Sequence, residues 1–331
     1  MVRPLQFDNA RRAERDRVLE LVAKASHQAP NDWETKQIFE YLFERRAYLD
    51  AAQWLSRQTS LAFYDADQIL WLKDRFPRPY LNIGGGPGFA YPFWENLDSS
   101  VSPLNPKPFY FGPDVPLPFK ARSLDLVYTS HVVEHLDDAT VAMVLSEARR
   151  VLRPGAPILV KIPDFDATQE AARACDSGFF REDGWNFEIC APTYKNRSNV
   201  VDSVVSRAAS VFCSYWNEQY GDVYAKYNVS APGAYHGPAP IGDAELDRIM
   251  RENSPHEAAA IMVRHVREME KDKITWNHQN AWSGEEMSAL LTSNGFEMIS
   301  TDRRKIVDRY NFVPHIGDMY KISAFFLAWA K

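Results

Sequence analysis

Tyr80-Leu81-Asn82-Ile83-Gly84-Gly85-Gly86-Pro87-Gly88-Phe89 is the stretch that decides how this chain folds. A short apolar run of strand length breaks off in glycines at 84, 86 and 88. A strand that bends so tightly, with no Cβ atoms at the bend, lets another molecule approach its backbone. The spacing is GxGxG. The dinucleotide pattern GxGxxG would need glycine at 89, where this chain has Phe89, so a nicotinamide-dependent reductase is disfavoured. Taken alone, the loop also reads as an ordinary glycine turn, and the residues that follow decide between the two.

Three further elements fall in the order that a nucleoside site needs. Trp94-Glu95-Asn96-Leu97-Asp98 reads as a second strand ending in a carboxylate. At the end of the second strand of a doubly wound sheet, such a group accepts both hydroxyls of a ribose. Phe109-Tyr110-Phe111-Gly112-Pro113-Asp114 reads as a third strand, again ending in Asp, which suits an adenine amino group, with Val115 placed to pack on the ring. Leu124-Asp125-Leu126-Val127-Tyr128-Thr129-Ser130-His131 reads as a fourth strand running into a helix. Singly, Asp98 and Asp114 also fit ordinary turns. Their placement after two successive strands favours the site.

The segments LNIGGGPGF, WENLD, SLDLVYTSHVVEHL, EARRVLRPG and ILVKIPDFD resemble the class I S-adenosylmethionine (SAM)-dependent methyltransferase family, above all bacterial members acting on small molecules or sugars. The likeness runs over about residues 77–164 and the tail from about 276. It implies a Rossmann-like, doubly wound α/β fold with a seven-stranded sheet, the last two strands forming a hairpin and the final one antiparallel to the rest. It also implies SAM as cofactor. Asn82, Gly84, Gly85, Gly86 and Gly88 would line it, Asp98 would take the ribose, Asp114 and Val115 the adenine, and Ser130 and His131 would lie beside it. Backbone N–H groups of the loop, at the start of the next helix, suit the cofactor's carboxylate. One position departs from the family, which usually carries an acid two residues before the first glycine. Asn82 stands there, able to accept a hydrogen bond but bringing no negative charge.

A chain of 331 residues exceeds one average domain and fits a core with additions. Its 45% hydrophobic and 25% charged residues are those of a soluble globular protein. The formal charge of −6 gives no general attraction to nucleic acid or to an anionic membrane. No apolar run reaches the roughly 18 residues a membrane span needs, and Met1-Val2-Arg3-Pro4 lacks the apolar core of a signal peptide. Cys175, Cys190 and Cys213 share no metal-ligand spacing, and reduced thiols are the simple reading. We expect a cytoplasmic protein that acts on a small molecule, with no nucleic-acid or membrane partner.

Residues 1–76 read as a helical region, since Ile38, Phe39, Leu42, Phe43, Leu49 and Trp54 recur at helical intervals. This piece is expected to cover the substrate side of the core or to form a homodimer contact. Phe76-Pro77-Arg78-Pro79 marks the boundary to the methyltransferase-like core, 77–331. After the fourth strand, Val141, Leu145, Ala148 and Leu152 make the apolar face of a helix that Arg153-Pro154-Gly155 stops. Residues 156–162 are the fifth strand, ending in Pro163-Asp164.

Residues 165–275 then interrupt the alternation, which is too long for an ordinary connection. Helical stretches are expected over 200–216, 243–253 and 256–271. Between the first two, Tyr220, Tyr224, Tyr227 and Tyr235 alternate with turn formers. An insertion after the fifth strand lies at the ligand-binding edge of such sheets and reads as a lid or substrate-binding subdomain, or else as a structural elaboration. Ser283-Gly284-Glu285-Glu286 matches a capping box for a last core helix, and 296–301 and 320–330 read as the two final strands.

SAM carries its methyl group on a sulfonium, so the enzyme must chiefly align a nucleophile and exclude water. Such positioning is worth roughly 7–11 kcal/mol at best. If the acceptor is a hydroxyl, a base near the methyl helps. The candidates are His278, in the loop before the last core helix, then His131, Asp164 at the end of the fifth strand, and His236. Each singly also fits a structural hydrogen bond.

His131-Val132-Val133-Glu134-His135 is literally HxxEH, an inverted zinc-protease pattern. His131 falls at a strand-to-helix junction rather than on a helix, so no metal is expected from that pattern. His256-Glu257 is a near miss for HExxH, since Ala260 stands where the second histidine would be. The leading expectation is a SAM-dependent methyltransferase acting on a hydroxyl oxygen of a natural product or sugar. The alternatives are methylation at nitrogen, or a SAM-binding subunit that supports a partner enzyme.

Overall fold

The computed structural model describes residues 78–86, 89, 94–101, 107–181, 204–213, 241–269, 278–311 and 313–331. The helical region expected over 1–76, Gly88, the aromatic stretch 215–235 and His236 lie outside the described residues. Within Pro79–Phe89, Glu95–Arg309 and Ile316–Lys331 the described residues form one compact unit.

Six strands build its sheet: β1 (Tyr80–Ile83), β2 (Trp94–Leu97), β3 (Leu126–Ser130), β4 (Pro157–Pro163), β5 (Phe296–Ser300) and β6 (Ser323–Ala330). Their order is β2-β1-β3-β4-β6-β5. β1, β3 and β4 run parallel, with Ile83 opposite Thr129 and Ser130 opposite Lys161. β6 is antiparallel to both β4 and β5, the reversal expected of the final strand. Near-continuous apolar runs make β3, β4 and β6 interior strands, because both faces of a central strand are covered. The chain leaves β1 toward β2 on one side and returns to β3 on the other. The carboxyl ends of β1 and β3 therefore flank a topological switch point, where open α/β sheets take ligands.

The strand expected over 109–114 is not one, and the sheet has six strands among the described residues instead of seven. Phe109 N donates to the Asp98 carbonyl at 2.9 Å, and then the chain turns, Val115 N reaching the Gly112 carbonyl at 3.2 Å. Pro108, Pro113 and Pro116 explain this, since each lacks the N–H that a ladder requires. The apolar rings at 109–111 gave a strand signal that the proline spacing overrules.

α1 (Asp138–Val151) starts where the Asp137 side chain caps Thr140 N. It buries Val141, Val144, Leu145, Ala148 and Val151, and carries Arg149 and Arg150 in its last turn, beside the negative end of the helix dipole. Gly155, with φ +76°, turns the chain into β4. On the same helix Glu147 and Arg150 form a bidentate pair that also holds the backbone at 117–119. Leu117 N donates to Glu147 at 2.8 Å, and Arg150 donates to the carbonyls of Leu117 and Phe119 at 3.0 and 2.9 Å. The Arg150 guanidinium holds the Glu147 carboxyl below its ordinary range.

Four described α-helices lie between β4 and residue 275: α2 (Phe165–Arg173), α3 (Val204–Cys213), α4 (Asp243–Glu252) and α5 (Pro255–Met269). The last three match the helical stretches expected between 165 and 275. α2 anchors them. Gln169 donates to the carbonyls of Met250 and Asn253, and Arg173 also donates to Met250, so two α2 side chains close the open end of α4. Phe165, Ala208, Phe212, Leu246, Ile249 and Met262 belong to the same hydrophobic cluster as β1, β3 and β4.

α6 (Gly284–Ser293) begins with the capping box predicted from Ser283 and Glu286, both reciprocal bonds being present. Asp166 of α2 accepts from Gly284 N at 2.7 Å, which joins the two helix starts. α7 (Arg303–Arg309) lies between β5 and β6, so those strands pair without forming a tight hairpin.

Candidate active site

The glycine bend after β1 is held from one side by β2. Gly84 N donates to the Leu97 carbonyl at 2.8 Å, Gly85 N to Asn96 Oδ1 at 3.1 Å, and Gly86 N to Asp98 Oδ2 at 2.8 Å. Asn96 closes the latch by donating its Nδ2 to the Gly86 carbonyl at 3.2 Å. Since Asn96 Oδ1 already faces one N–H, its other neighbour must also be a donor. That neighbour is Asn82, which donates from Nδ2 at 3.1 Å and is buried at the core of the bend. An aspartate at 82 would set two acceptors against each other there. The departure at Asn82 is thus matched by the amide at 96.

This latch bears on the expectation for the cofactor's carboxylate at the described part of the loop. The N–H groups of Gly84, Gly85 and Gly86 all turn toward β2, so a ligand's anion meets them only in competition with Leu97, Asn96 and Asp98. Asn96, two residues before Asp98 on the same face of β2, was not singled out from the sequence. Its signal was the polar i, i+2 pair in a short strand. Replacing Asn96 with Leu strands the Asn82 amide and the Gly85 N–H together, an expected loss of about 2–4 kcal/mol in a urea unfolding titration.

At Gly84 and Gly86 the backbone lies in the left-handed region, with φ +74° and +73°. A Cβ on Gly84 would sit 2.2 Å from Val132 Cγ2, so that glycine is required by packing. A Cβ on Gly86 would meet none of the described residues within 4 Å. Its left-handed conformation, rather than contact with a described residue, is what calls for glycine. Asp98 lies at the tip of β2. Each of its oxygens accepts one backbone N–H, Gly86 on Oδ2 and Ser100 on Oδ1 at 2.7 Å. Asp114 and Val115 lie in the exposed turn that follows, and Val115 is 39% exposed.

At the end of β3, Ser130 lies beside the buried hydroxyl of Tyr128, whose pKa burial pushes well above its ordinary value. His131 follows with φ +53° and with N donating to the Lys161 carbonyl at 2.8 Å. Its ring is turned inward. Nε2 lies 2.9 Å from Ser323 Oγ, and because that hydroxyl donates to the Met319 carbonyl at 2.8 Å, it must accept from His131. Nε2 therefore carries a hydrogen. Nδ1 is then 3.3 Å from Glu134 Oε1, a separation at which two bare acceptors would repel, so one proton resides on the pair. Burial drives the Glu134 carboxyl up from 4.5 to about 7, against the opposing pull of His135, nearby backbone amides and Lys161.

His278 is also interior. Its Nδ1 contacts the Val211 carbonyl, and its ring stands edge-on to His135 with centroids 4.6 Å apart. Burial, with His135 adding to it, depresses its pKa well below 6.5, so the ring is neutral. Asp164 caps α2 by accepting from Ala167 N at 3.0 Å and pairs with Arg303 at 2.8 Å. The structure thus brings His131, Glu134, His135 and His278 into one cluster beyond the end of β3. It places Asp164 in a separate ion pair, and Asn82, Gly84, Gly85, Gly86 and Asp98 together at the bend. Ser323, which orients His131, carried no sequence signal that we read, and Glu134 was read only as part of the HxxEH pattern.

Residues 81–160, from β1 through most of β4, match the model of a family described as a methyltransferase domain. Together with the sheet order and the glycine bend, this makes that part of the chain a class I SAM-dependent methyltransferase domain, with SAM as methyl donor. No curated relative matches the sequence. Solved structures similar to it include a SAM-dependent methyltransferase from Mesorhizobium loti, with 12% identity over 80% of this chain and 98% of that one and a TM-score of 0.33. Another is the YcgJ protein from Bacillus subtilis, with 14% identity over 79% and 97% and a TM-score of 0.31. A third is a phosphoethanolamine N-methyltransferase from Haemonchus contortus in complex with phosphomonomethylethanolamine and S-adenosylhomocysteine, with 12% identity over 80% and 52% and a TM-score of 0.31. Among the described residues no helix is long and apolar enough to cross a membrane.

Proposed function

We propose that the protein transfers a methyl group from SAM to a small-molecule acceptor, with the nucleoside seated over Gly86 and its ribose on Asp98. The observation that carries this reading is a left-handed glycine at the bend, Gly86, whose amide is held by the Asp98 carboxylate at the tip of β2, so that a glycine and a carboxylate meet at the ligand edge of the sheet. Asp114 and Val115 serve the adenine, since the Phe109 N to Asp98 carbonyl bond starts their segment at the ribose carboxylate. SAM supplies an activated methyl. The chain's own residues bind, orient and dehydrate the acceptor at the ends of β1 and β3. The insertion after β4 is the element we assign to acceptor cover.

Calorimetric titration with SAM and with S-adenosylhomocysteine tests the seat. Asp98→Asn keeps the shape but trades one acceptor oxygen for an amide, and should weaken both ligands by about tenfold or more. Equal affinity in the variant, or no affinity in the wild type, removes this reading; binding of NADH in place of SAM would replace it with the reductase.

A hydroxyl acceptor is the first choice, and one observation favours a second. His131, His278 and Asp164 each hold internal bonds, whereas a hydroxyl needs a base and a neutral amine does not. Paired screens with phenols and sugars on one side and primary amines on the other decide between them. Tight SAM binding with turnover of neither series would leave the supporting-subunit reading.

A further inference from the structure

We propose that Glu134, His135 and His278 form a binding site for a divalent transition metal of the zinc type. One donor atom from each residue lies within 4.8 Å of the other two. Zinc bonds of about 2.1 Å require donors about 3.3 Å apart, so the three side chains must draw closer on binding. Two imidazoles and one carboxylate are a zinc ligand set, and they suit zinc, cobalt or nickel better than calcium or magnesium.

Two independent observations point to a cation. Glu134 is fully buried, and beyond the proton it shares with His131 Nδ1, 3.3 Å from Oε1, its carboxylate closes no hydrogen bond of good geometry among the described residues, though backbone amides at Val132 and Glu134 lie near. A carboxylate taken out of water without such partners is costly unless a proton or a metal neutralises it. His278 presents Nδ1 to the Val211 carbonyl, so Nδ1 carries the hydrogen and Nε2 the lone pair. Metal-binding histidines are oriented by this kind of second bond. Lys161 opposes a cation here, but its ammonium is engaged at the Asp318 carbonyl, 2.6 Å away, and over the Phe325 ring.

The site differs from the HxxEH pattern that the sequence displays. Glu134 is a ligand instead of a base, and the second histidine comes from a loop 143 residues later, which no local spacing announces. That loop is already fastened to the turn at Glu134. Gln279 N and Asn280 N donate to the Glu134 carbonyl at 2.6 and 3.0 Å, and the Gln279 side chain donates to the His135 carbonyl at 2.9 Å. A metal would lock the two together.

The test uses the full chain, stripped with chelator and titrated first with Co2+ and then with Zn2+. The expected result is visible cobalt absorption saturating near one equivalent, displacement by Zn2+, and a Tm that rises with Zn2+. Glu134→Gln and His135→Gln should each weaken cobalt by more than the about 10–100-fold that loss of an outer-shell partner costs. His256→Gln, outside the cluster, should bind as the wild type does. Cobalt binding that survives both cluster substitutions overturns the proposal. So does wild-type protein with no cobalt band and no zinc-dependent Tm rise, whether or not the variants fold. SAM titration of the same samples is read separately, since the metal site does not rest on the cofactor reading.

Discussion

In chelator-treated protein, Glu134→Gln should be more stable than the wild type, and the advantage should grow as the pH is raised from 5 to 8. Folded, the Glu134 carboxyl titrates near 7 because it is buried; unfolded, it titrates near its ordinary 4.5. Between those values folding takes up a proton, so this group's contribution to stability is lost as the pH rises and is complete below 4.5. A shift of that size corresponds to about 3 kcal/mol at pH 8. Glutamine has the shape of the neutral acid and does not ionise. His131, His135, His278 and Lys161 face the carboxyl, and His278 works in the opposite direction. Its depressed pKa makes the folded state lose ground as the pH falls below 6.5, where only the unfolded chain gains the proton. Because both proteins keep His278, the difference between their melting curves isolates Glu134. A constant difference from pH 5 to pH 8 would show that the carboxyl stays ionised in the fold.

The second large effect is expected at the bend. Gly84→Ala forces a side chain into a backbone with φ +74°, which costs about 1–2 kcal/mol for an L-residue. It also drives the new Cβ to 2.2 and 2.7 Å from the two Val132 methyls. The sum should be a loss of about 2–4 kcal/mol with SAM affinity falling at least about tenfold. Adding Val132→Ala removes both methyl clashes but leaves the backbone strain and a 3.0 Å approach to the Val132 Cβ. The double variant should therefore recover part of the stability and not all of it, a coupling that a double-mutant cycle reads directly. Full recovery would mean that the left-handed conformation carries no strain, and no recovery that Val132 does not fill the space.

Much of the fold was legible because the signals were local. The apolar run from Tyr80 breaking into glycines, the stripe from Val141 to Leu152, and Ser283 three residues before Glu286 each encode an element within a few positions. The rings at 109–111 misled, since prolines at 108, 113 and 116 deny the ladder its donors whatever the β-propensity. At the bend, the glycines and the carboxylate at the end of β2 were readable from spacing as structural features, Gly86 N meeting Asp98 Oδ2. The Asn82–Asn96 amide pair was not, because its logic lies in which atom donates, and that follows only once Gly85 N and the Gly86 carbonyl are in place. Likewise, His278 looked like a candidate base by position, and only burial against Val211 and His135 turns it into a neutral interior ring.

The three amides of the bend, hooked onto β2 by a main-chain carbonyl, an asparagine and an aspartate, have a consequence for how a cofactor arrives. Their shape is settled during folding, so docking draws little on conformational freedom at that edge. Encounter there should behave as insertion into a rigid slot. Association should proceed in a single kinetic phase whose rate grows linearly with ligand concentration, with no slower isomerisation trailing it.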